Sequence, residues 1–315
     1  MPQSRGNSTR LSYVEETTFG VTPPSPQMRL IPFTAEGLGV RGSAFMQVKD
    51  GSERMSTGAG SGHIDTGGKV ALDIELDSIG TLLKHSLGNA STSGGGAPYT
   101  HVITGGSSLP PGLSIEKGFN DVGSFLLFKG CRIDTLLLNF PGDGGPVTGL
   151  LDILSKTADT ATGSVASSLL EGEGAPISYQ VSIQDGAGVL NNVLNAKLVI
   201  ANQLDRNGFV LGQRERYSIS EGLRYVSGTL TLEFEDFSYY NRFNDLSTSS
   251  LKITAVQGSF SMEILLPRIV FNVSAPVPEV KNSGPLVSGL HFAALKDTTE
   301  ATDIKITLIN NQPAI

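Results

Sequence analysis

Three acidic residues alternate with apolar residues between positions 70 and 77. Asp73, Glu75 and Asp77 have the spacing of the first ligands in a calcium-binding loop. However, the alternation with leucine and isoleucine has a period of two, which predicts a half-buried strand, and no turning glycine or terminal Glu follows in register. Glu233 and Glu235 repeat the pattern later in the chain. Two interpretations stay open: a solvated strand face, or an acidic stripe with a purpose.

Other side chains capable of chemistry form no catalytic pattern. His63, His85, His101 and His291 lack metal-ligand spacing, and neither an HExxH motif nor a G-x-S-x-G elbow occurs. The glycine-rich segment 58–62 lacks the Lys-Ser/Thr of a phosphate loop and is predicted to be a flexible loop tip. The sequence therefore predicts a protein that is not an enzyme and holds no metal or cofactor.

The composition limits the class of protein further. Lys and Arg number 23 against 30 Asp and Glu, and this net charge of −7 speaks against sequence-independent nucleic-acid binding. The single cysteine, Cys131, excludes an internal disulfide framework and is expected to be a small buried hydrophobe. No apolar stretch is long enough to span a membrane, and residues 1–10 lack a signal-peptide core, so neither a span nor a leader is expected.

Low charge (17%) and 38 glycines in 315 residues favour short strands over helical bundles. Alternation predicts strands at 70–77, 131–140, 177–183, 197–201, 229–235, 264–273 and 303–309. The best helix is 78–87, with Ser78 as its N-cap and Gly88 closing its end. Segments 40–68 and 202–228 are predicted to form extended hairpins or mobile loops.

An internal repeat is the most informative feature of the chain. The same shift in residue number, which we call the repeat offset, aligns Gly68 with Gly228, Leu72 with Leu232 and Ser78 with Ser238. Farther along, segment 145–150 resembles 284–290 with one insertion. Because both matches occur in the same order, we predict two related domains, 1–165 and 166–315, joined near 163–174. The first domain is expected to carry extra residues around 89–112.

The arginines between positions 206 and 224 form the one basic concentration in the sequence. They are Arg206, Arg214, Arg216 and Arg224. They predict either a hairpin rich in salt bridges or a contact with an acidic neighbouring subunit. Nucleic-acid binding is disfavoured because few aromatic residues lie among them.

Three parts of the sequence together resemble a known family. Residues 197–236 read KLVIANQLDRNGFVLGQRERYSISEGLRYVSGTLTLEFED, residues 12–20 read SYVEETTFG, and LPRI at 266–269 precedes a final ITLIN strand. In order and context, these segments resemble the tail tube proteins of tailed bacteriophages of the siphophage type. The resemblance covers most of the chain, although its motifs are short.

The resemblance implies a mainly β protein with two tail-tube-type β-sandwich or barrel domains, each with a short flanking helix. Subunits of this family form rings that stack into a hollow tube, the conduit for DNA ejection into the host. Six domains normally surround the lumen, so two per chain imply a homotrimeric ring, with a homohexamer as the alternative. The expected location is the virion tail, assembled in the host cytoplasm, with tape measure, tail tip and terminator proteins as partners.

Two sets of site residues follow from this interpretation. An acidic lumen would repel phosphates and let DNA pass without binding, so the candidate lumen-facing residues are Asp73, Glu75, Asp77, Glu233 and Glu235. Hairpins 40–62 and 205–216 are expected to reach the adjoining ring. Their candidate contact residues are Lys49, Asp50, Arg54, Arg206, Arg214 and Arg216.

Three other functions compete with that of a tail tube. A tail terminator or baseplate ring protein of the same fold is the nearest alternative. A carbohydrate-binding β-sandwich would need exposed aromatic platforms, but the chain has no Trp and only seven Tyr. A hydrolase is disfavoured because no nucleophile or metal set is present.

Overall fold

A computed structural model describes residues 5–47, 55–56, 58–186, 188–272, 277–278, 280 and 283–315. Within these residues the fold is mainly β, as predicted, with two short helices. Its elements in the first part of the chain are β1 (Thr9–Glu16), β2 (Gln27–Leu30), β3 (Phe33–Glu36), β4 (Gly39–Gln47), β5 (Gly58–Asp73), α1 (Gly80–Leu87), β6 (Gly88–Ser93), β7 (Tyr99–Gly105), β8 (Gly112–Phe119), β9 (Ser124–Pro141), β10 (Thr148–Ser155), β11 (Thr157–Ala161) and β12 (Ser168–Leu170). Those in the second part are β13 (Val181–Asp185), β14 (Gly188–Leu190), β15 (Val193–Ala201), β16 (Tyr225–Glu233), α2 (Ser238–Asn244), β17 (Thr248–Gln257), β18 (Phe260–Phe271), β19 (Val287–Ala294) and β20 (Lys305–Asn310).

Several element boundaries differ from the sequence prediction. Segment 58–62 is not a loop tip, because it begins the long strand β5. That strand ends at Asp73, so Glu75 and Asp77 lie in the turn before α1. The helix begins at Gly80, and Ser78 does not cap it, because its hydroxyl binds Glu75 instead. Residues 178–180 form a 3-10 turn, so the strand predicted from 177 starts only at Val181.

One large antiparallel sheet runs through both halves of the chain. Its strand order is β3/β4, β5, β10, β9, β15, β16, β19 and the end of β18. The first four members come from the first half, and the last four come from the second. The two groups meet where β9 pairs with β15, from Pro141 opposite Asn195 to Thr135 opposite Ala201.

Two smaller sheets pack against this large sheet. Strands β9 and β18 are long, and each continues from the large sheet into a small one. The first small sheet has the order β11, β9, β8, β1, β2 and β12. The second has the order β6, β7, β20, β18, β17, β13 and β14. The apolar faces of all three sheets and α1 share one hydrophobic core.

The hydrogen-bond registers of the two halves repeat at the same offset as the sequence. Phe33 lies opposite Leu72, and Val193 lies opposite Leu232. The register then shifts by one residue at the same place in both pairs. The turn that follows repeats as well, because Ile74 N–H donates to the Val147 carbonyl (3.0 Å) as Phe234 N–H donates to Leu286 (2.8 Å). A shared bulge is stronger evidence of relationship than strand alternation, because bulges depend on particular local geometry.

A second irregularity repeats between the small sheets. On β8 and β9 the register shifts between the pairs Leu113–Cys131 and Ile115–Phe128. On β17 and β18 it shifts in the same way between Ser249–Ile269 and Leu251–Leu266. The two strand pairs therefore match residue by residue. However, fewer residues of the chain separate β8 from β17 than separate β5 from β16.

The difference between these offsets is accounted for by the hairpin β6–β7. This hairpin and its following loop lie between the end of α1 and the start of β8, whereas α2 leads almost directly into β17. Strand β7 pairs with β20, from Thr104 opposite Lys305 to Tyr99 opposite Asn310. The additional hairpin of the first half thus extends the small sheet of the second half.

Residues 163–174 cross the surface of the first half and are held there. Glu116 is fully buried, and its carboxylate accepts hydrogen bonds from the Ser164 hydroxyl and the Val165 N–H, both at 2.7 Å. Strand β12 then pairs in parallel with β2. A buried carboxylate needs such partners to offset its desolvation. The connection between the halves is therefore a fixed strap rather than a free linker.

Each helix is tied to a neighbouring strand by charged side chains. Glu15 on β1 accepts hydrogen bonds from Lys84 and His85 of α1, both at 2.8 Å. Asp185 on β13 binds Arg242 of α2 at 2.5 Å. Burial alone would raise the pKa of Glu15, but the hydrogen bonds from His85 and Lys84 outweigh it and lower the pKa to about 2.

We expect Glu15 to make folding sensitive to acid. A carboxyl group with a depressed native pKa stabilises the fold above its ordinary pKa of 4.5, and that stability is lost as the pH falls toward about 2. Replacing Glu15 with Gln should therefore lower stability at pH 6 by about 1 kcal/mol, since the side chain is over a third exposed. It should also flatten the acid limb between pH 4.5 and 2 in urea titrations. An acid limb identical to that of the wild type would contradict the assignment.

Candidate functional site: the open face of the large sheet

One face of the large sheet is covered by the core, and the other carries polar side chains. We call the latter the open face. Register pairs place one residue from each of six strands in a single row across it: Asp73, Thr148, Asn139, Lys197, Thr229 and His291. All six are half-buried or exposed, whereas the alternate residues, such as Leu72, Leu138 and Leu230, are buried. The alternation of polar and apolar residues thus sorts them onto two faces as the sequence predicted.

The row is linked by side-chain hydrogen bonds between neighbouring strands. Asn139 donates to the Thr148 hydroxyl at 3.4 Å, and Thr229 pairs with His291 at 3.2 Å. Asn195, at the edge of this row, donates to Asn139 at 3.3 Å. Because this row crosses from the first half to the second, the open face is one continuous polar surface.

The charges on the open face are mixed rather than uniformly acidic. Asp73, Asp152 and Glu233 lie on it together with Lys69 and Lys197. The acidic stripe predicted from the sequence contains Asp73 and Glu233 but not the two lysines. Lys69 lies just before the strand predicted at 70–77, and Lys197 belongs to a different strand. Arg206, from the loop after β15, binds Asp152 at 3.1 Å and adds a third positive charge at this face.

Glu75 and Asp77 are engaged within the chain, at the turn between β5 and α1. The Glu75 carboxylate accepts a hydrogen bond from the Ser78 hydroxyl at 3.0 Å, and desolvation by burial raises its pKa. Asp77 accepts the N–H of Asn311 at 3.3 Å, and its carbonyl binds the Gln312 amide. Asp77 thus holds the C-terminal segment against the turn. Of these three acidic residues, Asp73 alone lies on a strand of the large sheet.

Glu233 and Glu235 lie at the equivalent end of the second half, and both are exposed. Glu233 is the last residue of β16, and Glu235 follows it in the turn that leads to α2. They border a cleft with Asn192 and Ser288. Among the described residues, no group of three or more His, Cys, Asp or Glu side chains is arranged to hold a metal ion.

The loop after β15 folds back onto the first half instead of projecting freely. Arg216, near its end, is 1% exposed and donates to the carbonyls of Thr66 (3.3 Å) and Ser155 (3.1 Å). It also pairs with Asp65 and lies over the ring of Phe209, 5.1 Å from the centroid. Arg216 is therefore an internal anchor that joins the loop to β5 and β10.

The other two described arginines of the predicted contact set differ from Arg216. Arg206 is about half exposed and bridges Asp134 (2.5 Å) and Asp152 (3.1 Å). Arg214 is exposed, and its Nε lies 3.4 Å from the Gly62 carbonyl. Lys49, Asp50 and Arg54 lie outside the described residues. Leu211, at the tip of the loop, is fully exposed.

The hairpin formed by β4 and β5 is exposed on both of its faces. Every residue of β4 after Gly39 is exposed, and the first half of β5 alternates between exposed and half-buried positions. Phe45 and Met46 are 63% and 70% exposed. A two-stranded hairpin is marginally stable alone, so this one needs further contacts to become rigid.

The remaining candidates for chemistry are structural. Cys131 is buried, as predicted, and burial raises the pKa of its thiol well above the ordinary range. His101 is fully buried between Thr92 (2.8 Å) and Asn310 (2.9 Å), where it joins β6 and β7 to β20. In the described part of the chain, no helix is long and apolar enough to span a membrane.

The fold and the open face define a mainly β protein of the sandwich type with one polar sheet face. A family model described as phage tail tube protein matches residues 6–304, nearly the whole chain, and the chain belongs to this family. It is thus a structural component of a phage virion. No curated protein matches the sequence.

Proposed function

We propose that the protein is the repeating subunit of the tail tube, in which rings of this chain stack to form the conduit for DNA ejection. The single observation that carries this proposal is the continuous large sheet, whose one face carries a row of polar side chains from Asp73 to His291 while its other face forms the core. Sheets of this shape, joined side by side, line a cylinder with polar groups. We further propose a siphophage-type tail, assembled in the host cytoplasm, with tape measure, tip and terminator proteins as partners.

We propose that residues 1–165 and 166–315 are two copies of one tail-tube domain. The repeated bulges and register shifts support this interpretation, because they relate the halves residue by residue. Six such domains around a lumen then require three chains, so the preferred ring is a homotrimer with pseudo-sixfold symmetry. A ring of six full chains is the alternative.

We propose that the open face lines the lumen. DNA can pass through a channel only if the wall has no strongly positive patches that would hold its phosphates. The lysines of the open face lie among carboxylates and amides, which weaken their positive potential. Asp73, Glu233 and Glu235 are the carboxylates best placed for this role. Glu75 and Asp77 fit it less well, because both are engaged at the turn before α1.

We propose that contacts between rings come from the β4–β5 hairpin and from the tip of the loop at 205–216. Both expose apolar side chains, including Phe45, Met46 and Leu211. Burying such side chains against the next ring would stabilise stacking. Arg214 remains a candidate contact, whereas Arg206 and Arg216 support the loop from within the chain.

Electron microscopy of purified protein tests the proposal. We expect hollow tubes of indefinite length, with three chains in each ring. Single rings that never stack would favour a terminator or baseplate ring protein. Six full chains in one ring would refute the trimer, and protein that stays monomeric at high concentration would contradict tube formation.

The lumen assignment makes a prediction about charge. Replacing Asp73 and Glu233 with Lys should leave tubes intact but cause them to retain DNA, because a cationic wall neutralises phosphates. The measurement is binding of a short DNA duplex to assembled tubes at several salt concentrations. Replacing Glu171 and Glu173, which are exposed and lie outside the strands of the large sheet, with Lys is the matched control, because it changes the charge by the same amount. Equal DNA retention by both variants would mean that the open face does not line the channel.

A further inference from the structure

The turn that follows β16 borders a cleft of about 270 Å³, which we call the acidic cleft. Its exposed rim carries the carboxylates of Glu233, Glu235 and Asp236, and the buried side chains of Leu232 and Leu290 form its floor. The described residues that line the cleft include no Lys, Arg or His. In that same part of the chain, neither Glu233 nor Glu235 pairs with a cationic side chain. The cleft therefore combines an apolar floor with an uncompensated negative rim.

A buried hydroxyl lies in the same cleft without a hydrogen-bond partner. Ser288, on β19 opposite Leu232, is 5% exposed, and its Oγ forms no hydrogen bond with any described residue. Buried hydroxyl groups are normally paired, because desolvation without a hydrogen bond costs free energy. This observation is independent of the carboxylates, and it indicates a ligand that brings a hydrogen-bonding group into the cleft.

The equivalent place in the first half is filled by a side chain of that half. Ser288 takes the place of Gly149, because both lie opposite the equivalent leucine of the neighbouring strand. A Cβ at Gly149 would lie only 2.6 Å from the side chain of Ile74, which is fully buried. In the second half Phe234 replaces Ile74, and its ring packs against the ring of Phe237 at 5.3 Å between centroids. The space beside Ser288 is thereby left open.

A short segment of irregular backbone, residues 172–177, covers the equivalent turn of the first half. Gly172 packs so closely on this turn that a Cβ there would overlap the Glu75 carboxylate. Farther along, the Pro176 carbonyl accepts the N–H of Val147 at 2.8 Å. A peptide backbone is therefore the kind of group that closes this end of the sandwich.

We propose that the acidic cleft binds an extended peptide segment of a partner protein that carries a Lys or Arg side chain. A cleft of this size holds one side chain rather than a drug-sized ligand. The aliphatic stem of the basic side chain covers the leucines of the floor, and its cationic head reaches the carboxylates of the rim. The peptide backbone supplies the hydrogen bond that the Ser288 hydroxyl lacks. Because the described carboxylates are not gathered as metal ligands, an elongated organic cation fits them better than a metal ion.

The occupant is a different protein because the corresponding segment of this chain is engaged and has the wrong charge. Residues 172–177 are bound to the first half of their own chain. Glu171 and Glu173 lie in this region of the sequence, so a second copy of it would be repelled by the acidic rim. A basic segment is complementary in charge, which also favours its encounter with the cleft. The inference goes beyond the proposed tube and does not depend on it.

The test uses a fluorescently labelled peptide, Gly-Arg-Gly-Ala-Pro blocked at both ends, titrated with the full chain at low salt. We expect saturable binding that weakens about tenfold for Glu233→Gln/Glu235→Gln, because two ion pairs are lost. The matched control, Glu171→Gln/Glu173→Gln, removes the same charge beside the first-half turn and should change the affinity by less than about twofold. The same peptide with Glu in place of Arg should not bind.

The variant Ser288→Ala separates binding from folding. Because the hydroxyl has no described partner in the free chain, its removal should not lower the midpoint of urea unfolding. The peptide should nevertheless bind about fivefold more weakly, because one hydrogen bond is lost. A lower midpoint together with unchanged binding would show that the hydroxyl serves the fold instead of the ligand.

Three further results would overturn the inference. Absence of saturable binding, or equal losses for the two double variants, would remove the acidic cleft as the site. Equal affinity for agmatine, which has the guanidinium and its stem but no peptide backbone, would rule out a peptide as the ligand. Binding by free chains but not by assembled tubes would mean that another copy covers the cleft. Failure to form tubes would contradict the proposed function alone, because the titration needs only individual chains.

Discussion

Replacing Gly228 with valine should lower the free energy of unfolding by about 3 kcal/mol. A Cβ at this position would lie well inside van der Waals contact of the Lys197 carbonyl oxygen and the Phe292 ring. Both groups belong to the neighbouring strands β15 and β19, so the backbone itself would have to move. Urea denaturation followed by circular dichroism measures the loss.

The matched control is Gly289→Val on the adjacent strand β19. No atom lies within 4 Å of a Cβ at that position, and valine is favoured in strands. We therefore expect a change of less than about 0.5 kcal/mol. Equal losses for both variants would show that general strand effects, not close approach, explain Gly228. Gly68 should be as sensitive as Gly228, because a Cβ there would meet the Gly37 carbonyl and its φ is 151°.

Replacing Arg216 with methionine should destabilise the chain by about 3 kcal/mol, because it removes a buried charge that satisfies buried carbonyl groups. Methionine preserves most of the side-chain volume, so the loss reports the hydrogen bonds to Thr66 and Ser155 together with the ion pair to Asp65. The loop after β15 would also lose these ties to β5 and β10. We expect faster cleavage between residues 205 and 216 in limited proteolysis, in addition to the shift in urea unfolding.

Arg214→Met is the control for this second prediction. Arg214 lies two residues away in the same loop but is exposed, so its loss should cost less than about 0.5 kcal/mol. Arg216→Lys should fall between the two, because an ammonium keeps the charge but not the planar set of donors. If Arg216→Met were as stable as Arg214→Met, the buried guanidinium would not be an anchor.

The sequence predicted the parts of the fold that depend on local pattern. Alternation identified the buried face at Leu72, Leu230 and Leu232, and the repeat offset matched Gly68 to Gly228. These are regularities of single strands. They can be recognised in the sequence because polar and apolar residues must alternate along a strand with one buried face. The mainly β fold and the tail tube family are confirmed.

What the sequence did not predict depends on contacts between distant segments. Glu75 has the spacing of a strand residue, but the strand ends at Asp73, where the chain turns into α1. Arg216 looked like a surface charge, and only the packing of its loop on β5 and β10 buries it. Lys69 and Lys197 join Asp73 on one face through pairings among four strands, which no local pattern encodes.

The junction between β9 and β15 has a consequence for the thermodynamics of assembly. Each association of separate proteins costs about 4 to 15 kcal/mol in lost translational and rotational freedom. In the proposed ring of three chains, half of the six junctions form when each chain folds and so carry no such cost. Ring formation then needs two associations of separate chains, instead of the five that six separate halves would need, and the two kinds of half are always present in equal numbers. We therefore expect ring closure at lower protein concentration than six separate halves would need.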